Sequence, residues 1–294
     1  MTVQIRNAMT VDVEDYFHVT ALASAVDRSQ WNDLEYRAER NTHRVLELFA
    51  EANIKATFFI LGWVAKKNPT IVRDIQAGGH EIACHGMSHQ LVYKQTPEVF
   101  LQETRESKLL LEDLAGCKVR GYRAASYSIT QKSLWALDIL GELGFEYDSS
   151  IFPVRHDIYG MRHAPRTPFL PGVGDMLEVP LTTVEVLGNR LPCGGGGYFR
   201  ILPYSFFKWA LRRVNGENLP SVFYFHPWEI DPGQPRMKVG WKSRFRHYYN
   251  LDQTEPRLKL LLKDFAWDRM DRVFLEPARL SAPSVVPLAI AGAA

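Results

Sequence analysis

The chain has 294 residues, 46% of them hydrophobic, and 35 Lys and Arg against 33 Asp and Glu leave a net charge of +2. That length can bury a large core in a single α/β domain, and the near balance of charge argues against nucleic acid or an anionic membrane as the main partner. Three scattered cysteines, Cys84, Cys117 and Cys193, exclude a disulfide framework and a CxxC metal site.

Strand and helix signals alternate along the chain. A first strand is expected at 8–13, inside AMTVDVED. Asn41 or Thr42 is expected to cap a helix running through Asn53, with Val45, Leu46, Leu48 and Phe49 at helical spacing. ATFFILG is an apolar run of buried-strand length, Asn68-Pro69 opens a helix that Gly78-Gly79 closes, and Thr96-Pro97 opens the longest helix, ending near Gly116. A helix from Thr130 to Gly144 carries Leu134, Leu137, Leu140 and Leu143 inward. Further strands are expected near 145–148, 177–186 and 221–226, and further helices near 203–215 and 254–265. Such alternation predicts an α/β fold with a mostly parallel sheet and helices outside it. Residues 152–176 and 186–200, the latter with Cys193-Gly194-Gly195-Gly196-Gly197, read as long loops, a feature often tied to function. The stretch from Leu280 to Ala294 is small, apolar and broken by proline, and is expected to be loosely ordered. No stretch reaches the roughly 18 apolar residues of a membrane span. The N-terminus lacks a signal-peptide pattern, so a cytoplasmic setting is expected.

Five strand-like runs end on residues that can do chemistry: Asp12, Glu14 and Asp15; His85 and His89; Arg123; Asp148; and His226. Ionisable groups at successive strand ends are how an α/β barrel builds an active site. His85 and His89 are four apart, so one helical turn would face them the same way; with a carboxylate from the first strand they make a divalent-metal set. Alternation along an extended strand puts Asp12 and Glu14 on one face, and leaves Asp15 pointing away unless the strand has ended. Two neighbouring carboxylates can then divide metal binding and proton transfer between them. His226 can donate a proton if a carboxylate tunes it. Arg123 can orient a carboxylate. Asp148, and more weakly Asp175, can position a histidine. Each of these taken alone has a plainer reading, as a turn, a salt bridge or a core histidine.

TVDVED, HGMSH, RAASY, YDSS and YFHP, in this order, resemble the motifs of the polysaccharide deacetylases (NodB-homology, carbohydrate esterase 4) over roughly residues 8–230. The segment from Trp228 onward resembles the C-terminal extension of deacetylases associated with exopolysaccharide and exosortase (PEP-CTERM) clusters. The resemblance implies an irregular (β/α) barrel of about seven strands at 1–230, an extension at 231–279 packed on it, and a tail at 280–294. It implies removal of N-acetyl groups from a sugar polymer with one divalent ion, zinc being expected. His85, His89 and Glu14 or Asp15 would be ligands, Asp12 the base, Arg123 its orienting group and His226 the acid. Tyr127, Tyr198, Phe199 and Trp228 could stack on sugar rings. The partner is an N-acetylated oligo- or polysaccharide, with no nucleic acid. Two other readings remain open: a related hydrolase of a small amide, as the metal-independent allantoinases are, and a carbohydrate-binding relative without turnover.

Overall fold

Alternation along β1 (Arg6–Val13) organises the molecule. Ala8, Thr10 and Asp12 face one side of the sheet, while Met9, Val11 and Val13 face the other and join the larger core. In the computed structural model, which describes residues 5–156, 158–172, 174–276, 286 and 288, β1 is followed by α1 (Ala38–Glu51), β2 (Thr57–Ile60), α2 (Gly62–Lys67), α3 (Pro69–Ala77), β3 (Glu81–Cys84), α4 (Pro97–Ala115), β4 (Gly121–Tyr122) and α5 (Trp135–Glu142). Then come β5 (Tyr147–Asp148), β6 (Leu177–Glu178), the hairpin of β7 (Thr183–Val186) and β8 (Asn189–Pro192), α6 (Gly196–Ile201), α7 (Tyr204–Gly216), β9 (Val222–Phe225), α8 (Trp241–Tyr248), α9 (Leu251–Asp264) and β10 (Ala266–Asp268).

Eight strands form the main sheet among the described residues, in the order β10-β1-β2-β3-β4-β5-β6, with β9 also on β1. Every strand pairing in it is parallel. The sheet curls around an inner core that includes Phe59, Ala83, Tyr147, Leu177 and Tyr224. Helices cover the outside, as the strand–helix alternation predicts. The curl closes irregularly. Between β6 and β9 the chain at 193–195 stands in for a strand, with Tyr224 N–H donating to the Gly194 carbonyl at 2.7 Å and Gly195 bridging Tyr224. Gly195 sits at φ +118°, and a Cβ there would lie 2.0 Å from the Tyr224 carbonyl oxygen, so no side chain fits.

Several expectations shift. α1 begins at Ala38 rather than near Asn41, because Asp15, far back in the chain, accepts the backbone N–H of Arg37 at 2.6 Å and of Ala38 at 2.8 Å. A remote carboxylate does the work of a local cap. The expected strand at 177–186 divides into β6 and β7. The expected loop at 186–200 contains β8 and α6. The segment after 231 does more than pack on the barrel: β10 pairs with β1 at Arg6–Ala8 and so adds a strand to the sheet. Most of the tail from Leu280 lies outside the described residues. Val286 and Leu288 are described, and both pack against the main core, Val286 N–H donating to the Leu170 carbonyl at 2.9 Å. No helix among the described residues is long and apolar enough to cross a membrane.

Candidate active site

The strand ends open into a cavity of about 510 Å³ whose lining includes Asp12, Glu14, His85, His89 and His226. β1 ends at Val13. Glu14 therefore leaves the strand still pointing to the Asp12 side, and Asp15 turns away to cap a short 3-10 helix at Tyr16–His18. Asp15 accepts three backbone N–H groups, from Tyr16, Arg37 and Ala38. Burial pushes its carboxyl up to about 6, against the pull of those N–H groups. It is spent on structure, and Glu14 is the carboxylate that meets the histidines.

Among the described residues, Glu14, His85 and His89 each offer a ligand atom within 4.8 Å of the others. The two histidines do not share a helical turn, as their spacing suggests. β3 stops at Cys84, and a loop with Gly86 at φ +73° and His89 at φ +51° folds His89 back toward His85. His85 Nδ1 lies 2.8 Å from the Arg123 carbonyl. A carbonyl can only accept, so Nδ1 carries the hydrogen and Nε2 keeps its lone pair. Burial holds the His85 imidazole down at about 4, in its neutral, ligating form. Glu14 Oε2 is 2.7 Å from His89 Nε2 yet has no hydrogen-bond partner. Burial alone would raise the Glu14 carboxyl, but His89 and His226 together hold it well below the usual carboxylate range. A buried carboxylate oxygen and two imidazole nitrogens converging without mutual hydrogen bonding are a donor set that fits a divalent cation.

Asp12 is braced from behind. Arg123, with a side chain 0% exposed, donates Nη1 to Asp12 Oδ1 at 2.6 Å and to Thr10 Oγ1 at 2.8 Å, and lies 4.0 Å above the Phe59 ring. Tyr127 O–H donates to the other oxygen of Asp12 at 3.4 Å. Asp148 does not reach a histidine. Its Oδ1 accepts from Ser150 at 2.6 Å, while Ser149 accepts from Arg123, so Asp148 and its buried neighbour Glu178 form a layer beneath the arginine. Burial raises both carboxyls, and the adjacent Asp148 charge lifts Glu178 further. Asp175 is exposed and does not line the cavity, because the chain turns it to solvent before β6 begins.

His226 stands opposite. Its Nε2 is 3.1 Å from Glu14 Oε1 and 4.0 Å from Asp12 Oδ2. Its Nδ1 donates to Glu229 Oε2 at 2.9 Å, and the same oxygen accepts the His226 backbone N–H at 3.0 Å. Burial would lower the imidazole, but Glu14 and then Glu229 outweigh it and carry it up to about 9. Glu229 is in turn paired with the buried Arg200 at 2.7 Å. Sequence reasoning missed Glu229 and Arg200. HPWE contains the signal for Glu229, a carboxylate three residues after the histidine; nothing local marks Arg200, which arrives from α6. Tyr127 and Tyr198 line the cavity, whereas Phe199 is buried in the main core. Trp228 also lines the cavity, 4% exposed and stacked with His226 and His247, so it supports the histidine.

Two family models match the chain. Residues 28–147 match the polysaccharide deacetylase family model, and residues 149–275 match a domain of unknown function, DUF3473. A chitooligosaccharide deacetylase of Rhizobium leguminosarum bv. trifolii is 28% identical over 144 residues, 49% of this chain and 60% of the relative. A peptidoglycan-N-acetylglucosamine deacetylase of Bacillus cereus is 33% identical over 107 residues, 36% of this chain and 37% of the relative. The chain thus spans under two thirds of these relatives. Among solved structures, a Mycobacterium smegmatis protein assigned to the polysaccharide deacetylases superposes with TM-score 0.61 at 18% identity, covering 97% of this chain and 94% of that one. The Puue allantoinase gives 0.60 at 17% identity, covering 92% and 88%. At such identities the two structures establish the shared barrel fold alone. The sequence match at 28–147 holds His85, His89 and Arg123, while Asp12, Glu14 and His226 lie outside it.

Proposed function

We propose that this chain hydrolyses the N-acetyl groups of amino sugars in a polysaccharide. The observation that supports it most is one cavity holding three distinct sets: Glu14, His85 and His89; Asp12 braced by Arg123; and His226 braced by Glu229. Glu14, His85 and His89 would hold one divalent ion, with zinc the expected metal for an N/O donor set of this size. When bound, the ion supplies Lewis acidity, polarising the acetamide carbonyl and lowering the pKa of water. Asp12, oriented by the Arg123 guanidinium, accepts the proton of the attacking water. His226, held protonated by Glu14 and Glu229, gives a proton to the departing nitrogen. The amide C–N bond breaks as the new C–O bond forms, releasing acetate and a free amino sugar. The open cavity, walled by Tyr127 and Tyr198, suits a chain of sugars. Remote sugar contacts would then be used at the reacting centre. We assign the polymer to exopolysaccharide synthesis on the resemblance of the segment from Trp228 onward. We place the reaction in the reducing interior, in keeping with three free cysteines, two of them buried. Acetate release from chitin oligomers, before and after chelation and metal reloading, tests the reading. Release that exceeds the monomer rate, disappears on chelation and returns with zinc supports it; hydrolysis of allantoin and of no N-acetyl sugar refutes it.

A further inference from the structure

Between Asp231 and Asp252 the chain carries Arg236, Lys238, Lys242, Arg244 and Arg246 and no carboxylate. All five are exposed, and none forms an ion pair among the described residues. Elsewhere Arg37, Arg44, Arg120, Arg166 and Arg269 each sit against a carboxylate, and exposed cations without an ion pair, such as Arg73, Arg105 and Lys132, stand far apart along the chain. In a chain of net charge +2, so local an excess of unpaired cations is a property of this surface and not of the composition.

Three of the five line a groove. A cavity of about 640 Å³ is walled by Ser24, Arg236, Lys238, Arg244 and Tyr248. Arg236 is seated with its guanidinium 4.5 Å above the Tyr248 ring, and the Tyr248 hydroxyl accepts the Met237 backbone N–H at 2.8 Å, so the cationic wall is built and not trailing. The groove and the active-site cavity use the same two segments. Val19, Thr20 and Ala21 face the active site and Ser24 the groove; Ser243, Arg246 and His247 face the active site and Arg244 and Tyr248 the groove. Arg200, which holds Glu229, also donates to the carbonyls of Arg246, His247 and Tyr249, tying this wall to the catalytic cluster. Trp241 and Phe245, 76% and 45% exposed, stand on α8 beside it and offer ring faces for the apolar side of a sugar.

We propose that this groove is a subsite for carboxylate-bearing sugars, so that the polymer is acidic, with N-acetylated residues entering the active site and uronate-type residues lying along α8. The inference rests on the deacetylase reading for the neighbouring cavity. An anionic lipid surface, the other partner that five cations could serve, would meet them on an outward face, whereas three of them here converge on a concavity adjoining the active site.

Equilibrium binding tests it without needing turnover. Hyaluronan oligomers, which alternate N-acetylglucosamine with a uronate, are compared with neutral chitin oligomers of equal length. The protein variants are Arg236→Gln/Lys238→Gln/Arg244→Gln, the single reversal Lys238→Glu in case the triple fails to fold, and Lys242→Gln as a cation outside the groove. Hyaluronan should bind more tightly than chitin, and its binding should weaken with salt. The triple variant should lose on the order of tenfold in hyaluronan affinity, the scale of three exposed charge pairs. Lys238→Glu should also lose hyaluronan binding, chitin binding should not move, and Lys242→Gln should match the parent. Equal binding of the two oligomers, or unchanged hyaluronan binding in both groove variants, overturns the proposal. So does binding to phosphatidylserine vesicles, lost in the triple variant, with no binding of hyaluronan. Hyaluronan binding that follows the expected pattern without acetate release from either oligomer keeps the subsite and overturns the deacetylase reading instead.

Discussion

Replacing Arg123 by methionine isolates what the buried ion pair contributes. The Arg123 side chain is 0% exposed and that of Asp12 2%, with 2.6 Å between Nη1 and Oδ1. At that separation an effective dielectric of about 20 gives a gross attraction of roughly 6 kcal/mol. Most of this only offsets the cost of taking both charges out of water. The loss on removing one partner is better set by the charge left stranded, about 3–5 kcal/mol. The neighbouring groups make the upper half of that range the expectation. Arg123 also satisfies Thr10 and Ser149, and the Asp148 and Glu178 carboxyls lie just beneath it. Arg123→Met should therefore lower the melting temperature by on the order of 10 °C, taking about 2–4 °C per kcal/mol for a domain of this size. Adding Asp12→Asn removes the stranded carboxylate. The double variant should be more stable than the single by about 2 kcal/mol, although both lack acetate release. Urea unfolding followed by fluorescence and circular dichroism measures both. If Arg123→Met falls within about 1 kcal/mol of the parent, or the double variant is no more stable than the single, the pair is not what holds Asp12 in place.

Glu14→Gln or His89→Ala should weaken zinc affinity beyond the roughly 10–100-fold typical of losing an outer partner. Asp15→Asn should leave affinity in place but lower stability by about 1–2 kcal/mol, the scale of a lost helix cap; metal competition and thermal melts separate the two, and the opposite ordering would move the ligand to Asp15. Glu229→Gln should reduce kcat on chitin oligomers by roughly 10–100-fold with KM unchanged, a part of what a general acid contributes, and should also lower the melting temperature because Arg200 is left buried and unpaired; a melting change with unaltered kcat would confine Glu229 to structure. His80, whose Nδ1 accepts the Ala56 N–H, is held down at about 4 by burial. From about pH 6.5 down to 4 the unfolded chain binds the extra proton, so this stability is present above 6.5 and is lost as pH falls through that window, by up to about 3 kcal/mol. His80→Gln should flatten the difference in unfolding free energy between pH 7 and 5, and an unchanged difference would show that His80 is not the buried base responsible.

Local periodicity and punctuation were enough to read much of the fold. Asn68 caps α3 and Thr96 caps α4 because their side chains reach only two or three residues ahead. The alternation along β1 puts Asp12 and Glu14 on one face for the same local reason. Of the ordered strand-end residues, Asp12, Glu14, His85, His89 and His226 do meet, while Asp15 and Asp148 do not line the cavity. What the sequence could not decide depends on contacts between distant segments. Asp15 and Glu14 are neighbours of the same chemistry, and only the arrival of the Arg37 and Ala38 N–H groups assigns one to capping and leaves the other to the histidines. The His85–His89 spacing suggested a helical turn, yet a loop through left-handed backbone at His89 brings them together. Glu229 was readable as a residue but not as the partner of His226, and Arg200 not at all, because its pairing spans 29 positions. The sequence by itself determined most element types up to about residue 148 and the chemistry available at each strand end, since both follow from neighbours along the chain. Only the tertiary structure decided which carboxylate serves which cation, because a buried charge takes its role from whatever the rest of the fold brings within about 3 Å of it.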